Sequence, residues 1–557
     1  MDQKYINNSN DRNYFHSSSV NMFVTLSFTS SILLFLVITA NGNSVEKDDK
    51  YLTFPANFLL GASTAAYQIE GAWNVSDKGE SVWDRFSHYN DGRIINDETG
   101  DVAADSYHKY KEDVNILKRL GFTSYRFSVS WPRILPTGFA NNVSQDGVNY
   151  YHNLIDELLA NGIEPLLTLC HWDHPQVLED ANGWLNPEMV DWFGDFARVV
   201  YREYGAKVKR FITINEIGAL CKNGYSYGFH APGKKLHGFG EYLCVHNALK
   251  AHARAYRIYE REFKPTYKGQ VGFMINSHAY MPKIPEDAVS AEIAFLFNCG
   301  WTLHPIYSEK GDYPEIMKNM VAAKSKQQGY AKSRLPEFEP EWIEYIRGTS
   351  DFMAVNHYTS KLVEPGERGK VPSHDNDQGV KLSVDDSWKS SASAWLKVVP
   401  RGFRYVLRQL SSKYGNPPMY ITENGFSDLG TLNDTDRVDY YREYLKQMLL
   451  AIHVDGVNVR GYYLWSLLDN FEWERGYSEH FGIVYVDIND PNRKRTLKES
   501  ATWWQQVATN KSVIHNRFTQ RSASTALIGR RMARSVAWNE NQRGLKAVWR
   551  YSRILVP

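Results

Sequence analysis

The chain has 557 residues, a formal net charge of +1 and 43% apolar residues. That apolar content supplies a large core, and near-neutral charge argues against nucleic acid as a partner. The length would ordinarily suggest several domains, but α/β barrels run long as one unit. Aromatics reach 14%, with 16 Trp and 35 Tyr. Such richness suits carbohydrate, whose C–H faces stack on rings, although barrel helices pack on the same rings.

In chain order, the apolar run from Val20 to Ala40 comes first. It reads as a secretory signal cleaved shortly after Ala40, which assigns 1–44 to targeting. Met22 as the start would leave a compact signal of ordinary length. A membrane anchor is the competing reading, because the run is nearly long enough to span, but its flanks lack a clear positive cluster. Phe58 to Ser63 reads as the first strand, and Asp105 to Leu120 as an amphipathic helix ended by Gly121. Phe122 to Ser130, Ile163 to Leu169, Phe211 to Asn215 and Val271 to Ser277 read as the next four strands. Asp146 to Ala160, Pro187 to Tyr204 and Glu241 to Phe263 are the helices between and after them. Asp351 to Asn356, Met419 to Thr422 and Val459 to Trp465 complete eight strands, with late helices at Arg437 to Ile452 and Lys498 to Val507.

Eight strands alternating with helices predict a single (β/α)₈ TIM barrel over 45–509. The polar segment from Val363 to Ser393 reads as a long loop over the barrel mouth. From Lys511 to Pro557 the chain carries ten Lys or Arg and one acid, Glu540. This 510–557 tail reads as a basic, disordered extension; an arm for an anionic surface is the functional alternative.

Two strands end in a carboxylate beside an asparagine: Phe211-Ile212-Thr213-Ile214-Asn215-Glu216 and Tyr420-Ile421-Thr422-Glu423-Asn424-Gly425. β-Branched runs of this kind read as strands buried on both faces. A residue at a barrel strand's C-terminal end sits where barrel enzymes place their chemistry. Two such glutamates facing one cleft are the equipment for glycoside hydrolysis. The plainer reading is that each Glu merely caps a strand.

At this point the chain resembles glycoside hydrolase family one, the retaining β-glucosidase family. Phe58-Leu59-Leu60-Gly61-Ala62-Ser63-Thr64-Ala65-Ala66-Tyr67-Gln68-Ile69-Glu70-Gly71 is similar to its N-terminal signature, and Ile421-Thr422-Glu423-Asn424-Gly425 to its nucleophile signature. The resemblance runs from about Phe54 to about Val507. It implies Glu216 as general acid/base and Glu423 as nucleophile, with Arg126 and Tyr358 supplying the positive charge and the donor that keep a nucleophile ionised. It implies Asn215 at the 2-hydroxyl, His171 and Trp473 at the 3-hydroxyl, Gln68 and Glu472 at the far edge of the ring, and Trp465 as the stacking floor. Taken singly, His171 and the tryptophans would be read as core residues; their positions at or just after strand ends favour the site.

Two positions depart from the family pattern. Ile217 stands where proline usually follows the acid/base, which restores a backbone N–H, frees φ and so bears on the placement of Glu216. His174 stands where leucine is common, and the sequence offers no account of it. Lys222 and Lys361 would favour an anionic leaving group if both face the aglycone side. A thioglucosidase acting on a sulfated aglycone is therefore an alternative, as is a non-catalytic sugar-binding barrel. Plain solvated lysines are the simpler reading.

Cys221 and Cys244 flank a Gly-rich loop and could pair in an oxidising compartment, whereas Cys170 reads as a buried thiol. Asn74, Asn142, Asn433 and Asn510 head glycosylation sequons, which matter only if the chain is secreted. No metal or nucleotide motif occurs, and the mechanism needs no cofactor. The expectation is a secreted β-glycosidase whose partner is a small β-glucoside, with no stable membrane association once the signal is removed.

Overall fold

All eight expected strands form, and they close on one another. The computed structural model describes residues 51–513, Arg368 excepted. The strands are β1 (Leu59–Ser63), β2 (Ser124–Ser128), β3 (Glu164–Cys170), β4 (Arg210–Ile214), β5 (Gln270–Asn276), β6 (Met353–Asn356), β7 (Met419–Glu423) and β8 (Val459–Trp465). They pair in the order β1-β8-β7-β6-β5-β4-β3-β2, all parallel, as a closed barrel. Parallel neighbours need long crossovers, and helices supply them. The seven crossovers carry α1 (Ser106–Leu120), α2 (Gln145–Ala160), α3 (Met189–Tyr204), α4 (Gly240–Ile258), α5 (Ala288–Phe295), α6 (Pro400–Lys413) and α7 (Thr435–His453), and α8 (Glu499–Asn510) follows the last strand. Their apolar stripes face the sheet. In α3, Val190, Phe193, Ala197, Val200, Tyr201 and Tyr204 recur at helical spacing and are buried. Gly121 ends α1 as expected, in the left-handed conformation at φ 77°.

The barrel interior is packed. Leu166, Ile212, Met274, Phe352, Ala354, Tyr420 and Tyr463 form a buried cluster distinct from the main core. Large rings fit there because glycine faces them. A Cβ on Gly61 would lie 2.5 Å from the Tyr463 ring, and one on Gly272 would lie 2.2 Å from Phe352. Filling this space leaves the C-terminal mouth as the place for a cleft.

The segment expected as a long loop is more structured than its composition suggests. Ser360–Pro365 and Val380–Ser383 form two strands of a three-stranded sheet with Ala279–Pro282, and His374–Asp377 is a short helix. A buried ion pair anchors it: Arg334 reaches Asp377 at 2.7 and 2.8 Å, and the Tyr242 hydroxyl donates to the same carboxylate at 2.7 Å. The helix expected to run to Phe263 is α only to Ile258 and continues as a π turn over Tyr259–Phe263.

Cys221 and Cys244 are disulfide-bonded, with 5.5 Å between their Cα atoms, while Cys170 and Cys299 are free and buried. The fold runs slightly past the expected boundary at 509. Phe54 donates to Lys511 at 3.0 Å, and Val513 donates to Leu52 at 3.1 Å. The expected targeting segment 1–44 and most of the basic tail lie outside the described residues. Among the described residues, no helix is long and apolar enough to cross a membrane.

Candidate active site

The carboxyl groups of Glu216 and Glu423 line one cavity of about 460 Å³ at the C-terminal mouth of the barrel. His171, Asn215, Tyr358, Trp465, Glu472 and Trp473 line it with them. Two residues expected at the site do not reach its wall. Arg126 is fully buried on β2, and Gln68 donates from Nε2 to the Asn470 amide oxygen, the Phe471 carbonyl and Glu472. Gln68 Oε1 is buried and has no partner among the described residues.

Glu423 is the last residue of β7, so its side chain rises from the strand end into the cavity. Arg126, fully buried on β2, donates from Nη1 to Glu423 Oε1 at 2.6 Å. The Tyr358 hydroxyl donates to Oε2 at 2.7 Å. Each oxygen of Glu423 thus has its own donor, one of them a cation. The guanidinium is itself held: Nε donates to Thr168 at 3.0 Å and Nη2 to Asn215 Oδ1 at 2.8 Å. This arrangement suits a carboxylate that must stay charged and point one way.

Among the described residues, no cation is bonded to Glu216. Asn356 Nδ2 donates to Oε1 at 2.7 Å and Asn276 Nδ2 to Oε2 at 3.1 Å. Burial pushes its carboxyl up to about 8, and the negative charge of Glu423 pushes in the same direction; Asn356, Arg126 and Asn276 oppose the rise. At neutral pH this group holds its proton while its neighbour is paired with an arginine. The chain turns at Glu216 in the left-handed region, φ 42°, and the short helix Ile217–Lys222 starts next. Ile217 therefore occupies the first helical position, where a backbone N–H has no helical acceptor. The missing proline costs no ladder bond, and Glu216 still faces the cavity. Trp172 and Trp473 also adopt positive φ, at 73° and 53°. Bulky residues in that region are rare and gather where a site dictates the backbone.

The rest of the wall is polar on one side and aromatic on the other. Asn215 Nδ2 donates to His171 Nε2 at 3.0 Å, which leaves the proton on Nδ1, a buried atom with no protein partner. Burial, reinforced by Arg126, pushes His171 well below the usual imidazole range, so it is neutral. Its ring stacks between Trp465 and Trp473, at 5.8 and 5.9 Å between centroids. Glu472 is held well above the ordinary carboxylate range by burial, then by Glu479, Glu474 and Glu423. Gln68 Oε1 and His171 Nδ1 are thus buried polar atoms without a partner among the described residues, and such atoms are uncommon in a folded chain.

Several site residues escape a reading of motifs. Asn276 and Asn356 are the last residues of β5 and β6, and their only sequence signal is that position. Phe229, His278 and Trp395 line the outer part of the cavity from three separate loops. His174 now has an account. Its Nε2 bonds Glu179 Oε2 at 3.0 Å, Tyr225 donates to the same oxygen, and Lys234 meets Glu179 Oε1 at 2.5 Å. The histidine thus completes a buried polar cluster that ties the loop after β3 to the one after β4. Lys222 lines the cavity, but its ammonium lies 2.9 Å from Asp375. Although burial opposes it, Lys222 holds Asp375 well below the usual carboxylate range. Lys361 lies on the strand Ser360–Pro365 and its charge bears on His278, as does that of Lys222.

Comparison with known proteins gives the same picture. The family model of Glycosyl hydrolase family 1 matches residues 50–513. The chain is 48% identical to Myrosinase 1 of Brevicoryne brassicae over 458 residues, covering 82% of this chain and 98% of that protein. It is 42% identical to the cytosolic beta-glucosidase of Cavia porcellus, with coverages of 82% and 98%. Among solved structures, a rice beta-glucosidase superposes with a TM-score of 0.78 at 36% identity, covering 84% of this chain and all of that one. With a match over nearly all of the described residues and these degrees of identity, the chain belongs to glycosyl hydrolase family 1 and is a β-glycosidase.

Proposed function

We propose that the chain hydrolyses terminal β-D-glucosides with retention, with Glu423 as nucleophile and Glu216 as acid and then base. Glu423 attacks the anomeric carbon while Glu216 passes its proton to the departing glycosidic oxygen, so the C–O bond breaks as the glycosyl ester forms. Glu216, now ionised, takes a proton from water, whose oxygen displaces Glu423 and returns both groups to their first state. In this reading Asn215 meets the 2-hydroxyl, His171 and Trp473 the 3-hydroxyl, Glu472 the far edge with Gln68 supporting it, and Trp465 the ring face. The observation that carries this reading is the unequal dress of two carboxyl groups in one cavity. Glu423 has an arginine and a tyrosine hydroxyl on its two oxygens, whereas Glu216 is buried with amides alone and holds a proton up to about 8. Replacing Glu423 with Gln or Ala should remove nearly all hydrolysis of an aryl β-glucoside. The wild-type product should appear first as the β-anomer by proton NMR. Unchanged turnover in the variant, or an α-anomer, would overturn the assignment.

A second reading, a thioglucoside with an anionic aglycone, is favoured by Lys222 and Lys361 acting together on His278 at the cavity wall. The ion pair of Lys222 with Asp375 offsets much of that charge, so the neutral β-glucoside leads. A non-catalytic barrel is disfavoured because both carboxyl groups are present and are bonded to different partners. The secretory reading is supported by the disulfide, which oxidising compartments favour. It is also supported by the exposure of all four sequon asparagines, Asn74, Asn142, Asn433 and Asn510.

A further inference from the structure

The acid of a glycosidase must do more than keep a proton; the proton must point at the departing oxygen. A carboxyl group has two oxygens and about four in-plane positions for hydrogen. In Glu216 one position on each oxygen faces an amide, Asn356 on Oε1 and Asn276 on Oε2. The direction of the Asn356 amide follows from a fixed donor. Arg126 can only donate, so the Asn215 atom it contacts at 2.8 Å is the oxygen. Asn356 faces that same oxygen at 3.3 Å, so it presents N–H there and to Glu216. Its own oxygen takes the Thr422 hydroxyl at 2.8 Å. Asn276 stands beside Asn356 in register on β5, at the last position of its strand. Two neighbouring strands therefore offer a pair of amides to the two oxygens of one carboxyl.

We propose that Asn276 is a positioning residue for the β-glycosidase reaction: together with Asn356 it occupies one side of the Glu216 carboxyl, so that the acidic proton can lie only on the side open to the leaving group. An amide N–H cannot share a position with the acidic proton, and the two amides exclude it from both oxygens on their side. Without Asn276, the position on Oε2 that its amide fills is open to the proton. The cost falls on glycosides whose leaving group needs protonation. It spares those that depart unaided.

The inference rests on Glu216 being the acid, and the test separates the two ideas. Asn276→Ala and Asn276→Ser would be assayed beside Glu216→Ala on methyl β-glucoside, phenyl β-glucoside and 2,4-dinitrophenyl β-glucoside. General acid catalysis contributes about 10²–10⁴-fold, so a misdirected proton in the Asn276 variants should lower kcat/KM by about 10–100-fold on the first two and by less than about threefold on the third. The plot of log kcat/KM against leaving-group pKa should steepen. A purely structural role would reduce all three substrates alike, and that outcome, or no loss on any of them, would overturn the proposal. If Asn276→Ala does not fold, Asn276→Ser provides the same comparison, and Asn276→Gln, which keeps an amide, should restore part of the methyl glucoside rate. Should Glu216→Ala show the selective loss and the Asn276 variants not, the positioning role alone fails. Equal loss on every substrate in Glu216→Ala would instead remove the acid assignment beneath it.

Discussion

Glu216 should lose its hold on the proton as soon as Glu423 loses its charge. Glu216 is pushed up to about 8 by two causes acting together, burial first and the Glu423 carboxylate second. Retaining enzymes hold their two carboxyl groups about 5.5 Å apart, and at an effective dielectric of about 20 two unit charges at that distance repel by about 3 kcal/mol. At about 1.4 kcal/mol per pK unit, removing the charge lowers Glu216 by about 2 units, to about 6. It does not return to the ordinary carboxylate range, because burial persists. Glu423→Gln makes the change with little loss of shape. Titrating the Glu216 carboxyl by carbon NMR in labelled protein, in wild type and in this variant, measures it directly. The sign has a kinetic counterpart. Cleavage needs Glu216 protonated, so wild-type kcat/KM should fall as pH rises through about 8. In the glycosyl-enzyme Glu423 is an uncharged ester, so the base form prevails above about 6, and decay of a trapped intermediate should speed up through that pH. One residue then serves as acid and base at a single pH. A midpoint that stays near 8 in Glu423→Gln would show that the neighbouring charge does not hold the proton. A fall to the range of a free carboxyl would show that burial does not.

The remaining expectations bear on substrate and compartment. Replacing Lys222 and Lys361 together with Met should change KM for a neutral aryl β-glucoside by less than about twofold, because a neutral aglycone presents no charge for either ammonium to meet. A selective rise of more than about tenfold in KM for a sulfated thioglucoside would transfer the lead to the anionic aglycone. Protein secreted from eukaryotic cells should gain mobility on gels after removal of N-linked glycans. After denaturation without reductant it should show two reactive thiols, Cys170 and Cys299. Four thiols, or no shift in mobility, would argue against passage through the secretory route.

What could be read from the sequence follows from which interactions are local. Tyr420–Thr422 and Phe211–Ile214 are legible as strands because a strand buried on both faces must be apolar at every position, not at alternate ones. A glutamate breaking such a run has to mean something, since burial without partners is costly. The segment from Val363 to Ser393 is different. Its strands Ser360–Pro365, central in the small sheet, and Val380–Ser383, at its edge, are too short and too polar to show a period. The Arg334–Asp377 pair that anchors them joins residues 43 positions apart. His174 could not be explained alone for the same reason: Glu179 is near in sequence, but Tyr225 and Lys234 arrive from another loop.

The catalytic pair illustrates the boundary most clearly. Barrel geometry brings the C-terminal ends of β2, β4, β5, β6 and β7 to one mouth, so a strand-end position alone marks Glu216 and Glu423 as candidates. Strand-end position also marks Asn276 and Asn356, yet an asparagine at a strand end is the common way to begin a turn. Only the register decides between the two meanings. Asn276 pairs with Asn356, and Asn356 with Glu423, so neighbouring strands deliver their last residues at one height. At that height an amide pair meets a carboxyl that has no cation of its own, while the arginine of β2 meets the other. The division of labour between two chemically identical side chains thus arises in strand pairing, one level above the residues themselves. A one-residue slip of β6 against β7 would leave every motif intact and turn the Asn356 amide away from Glu216, because side chains alternate in direction along a strand.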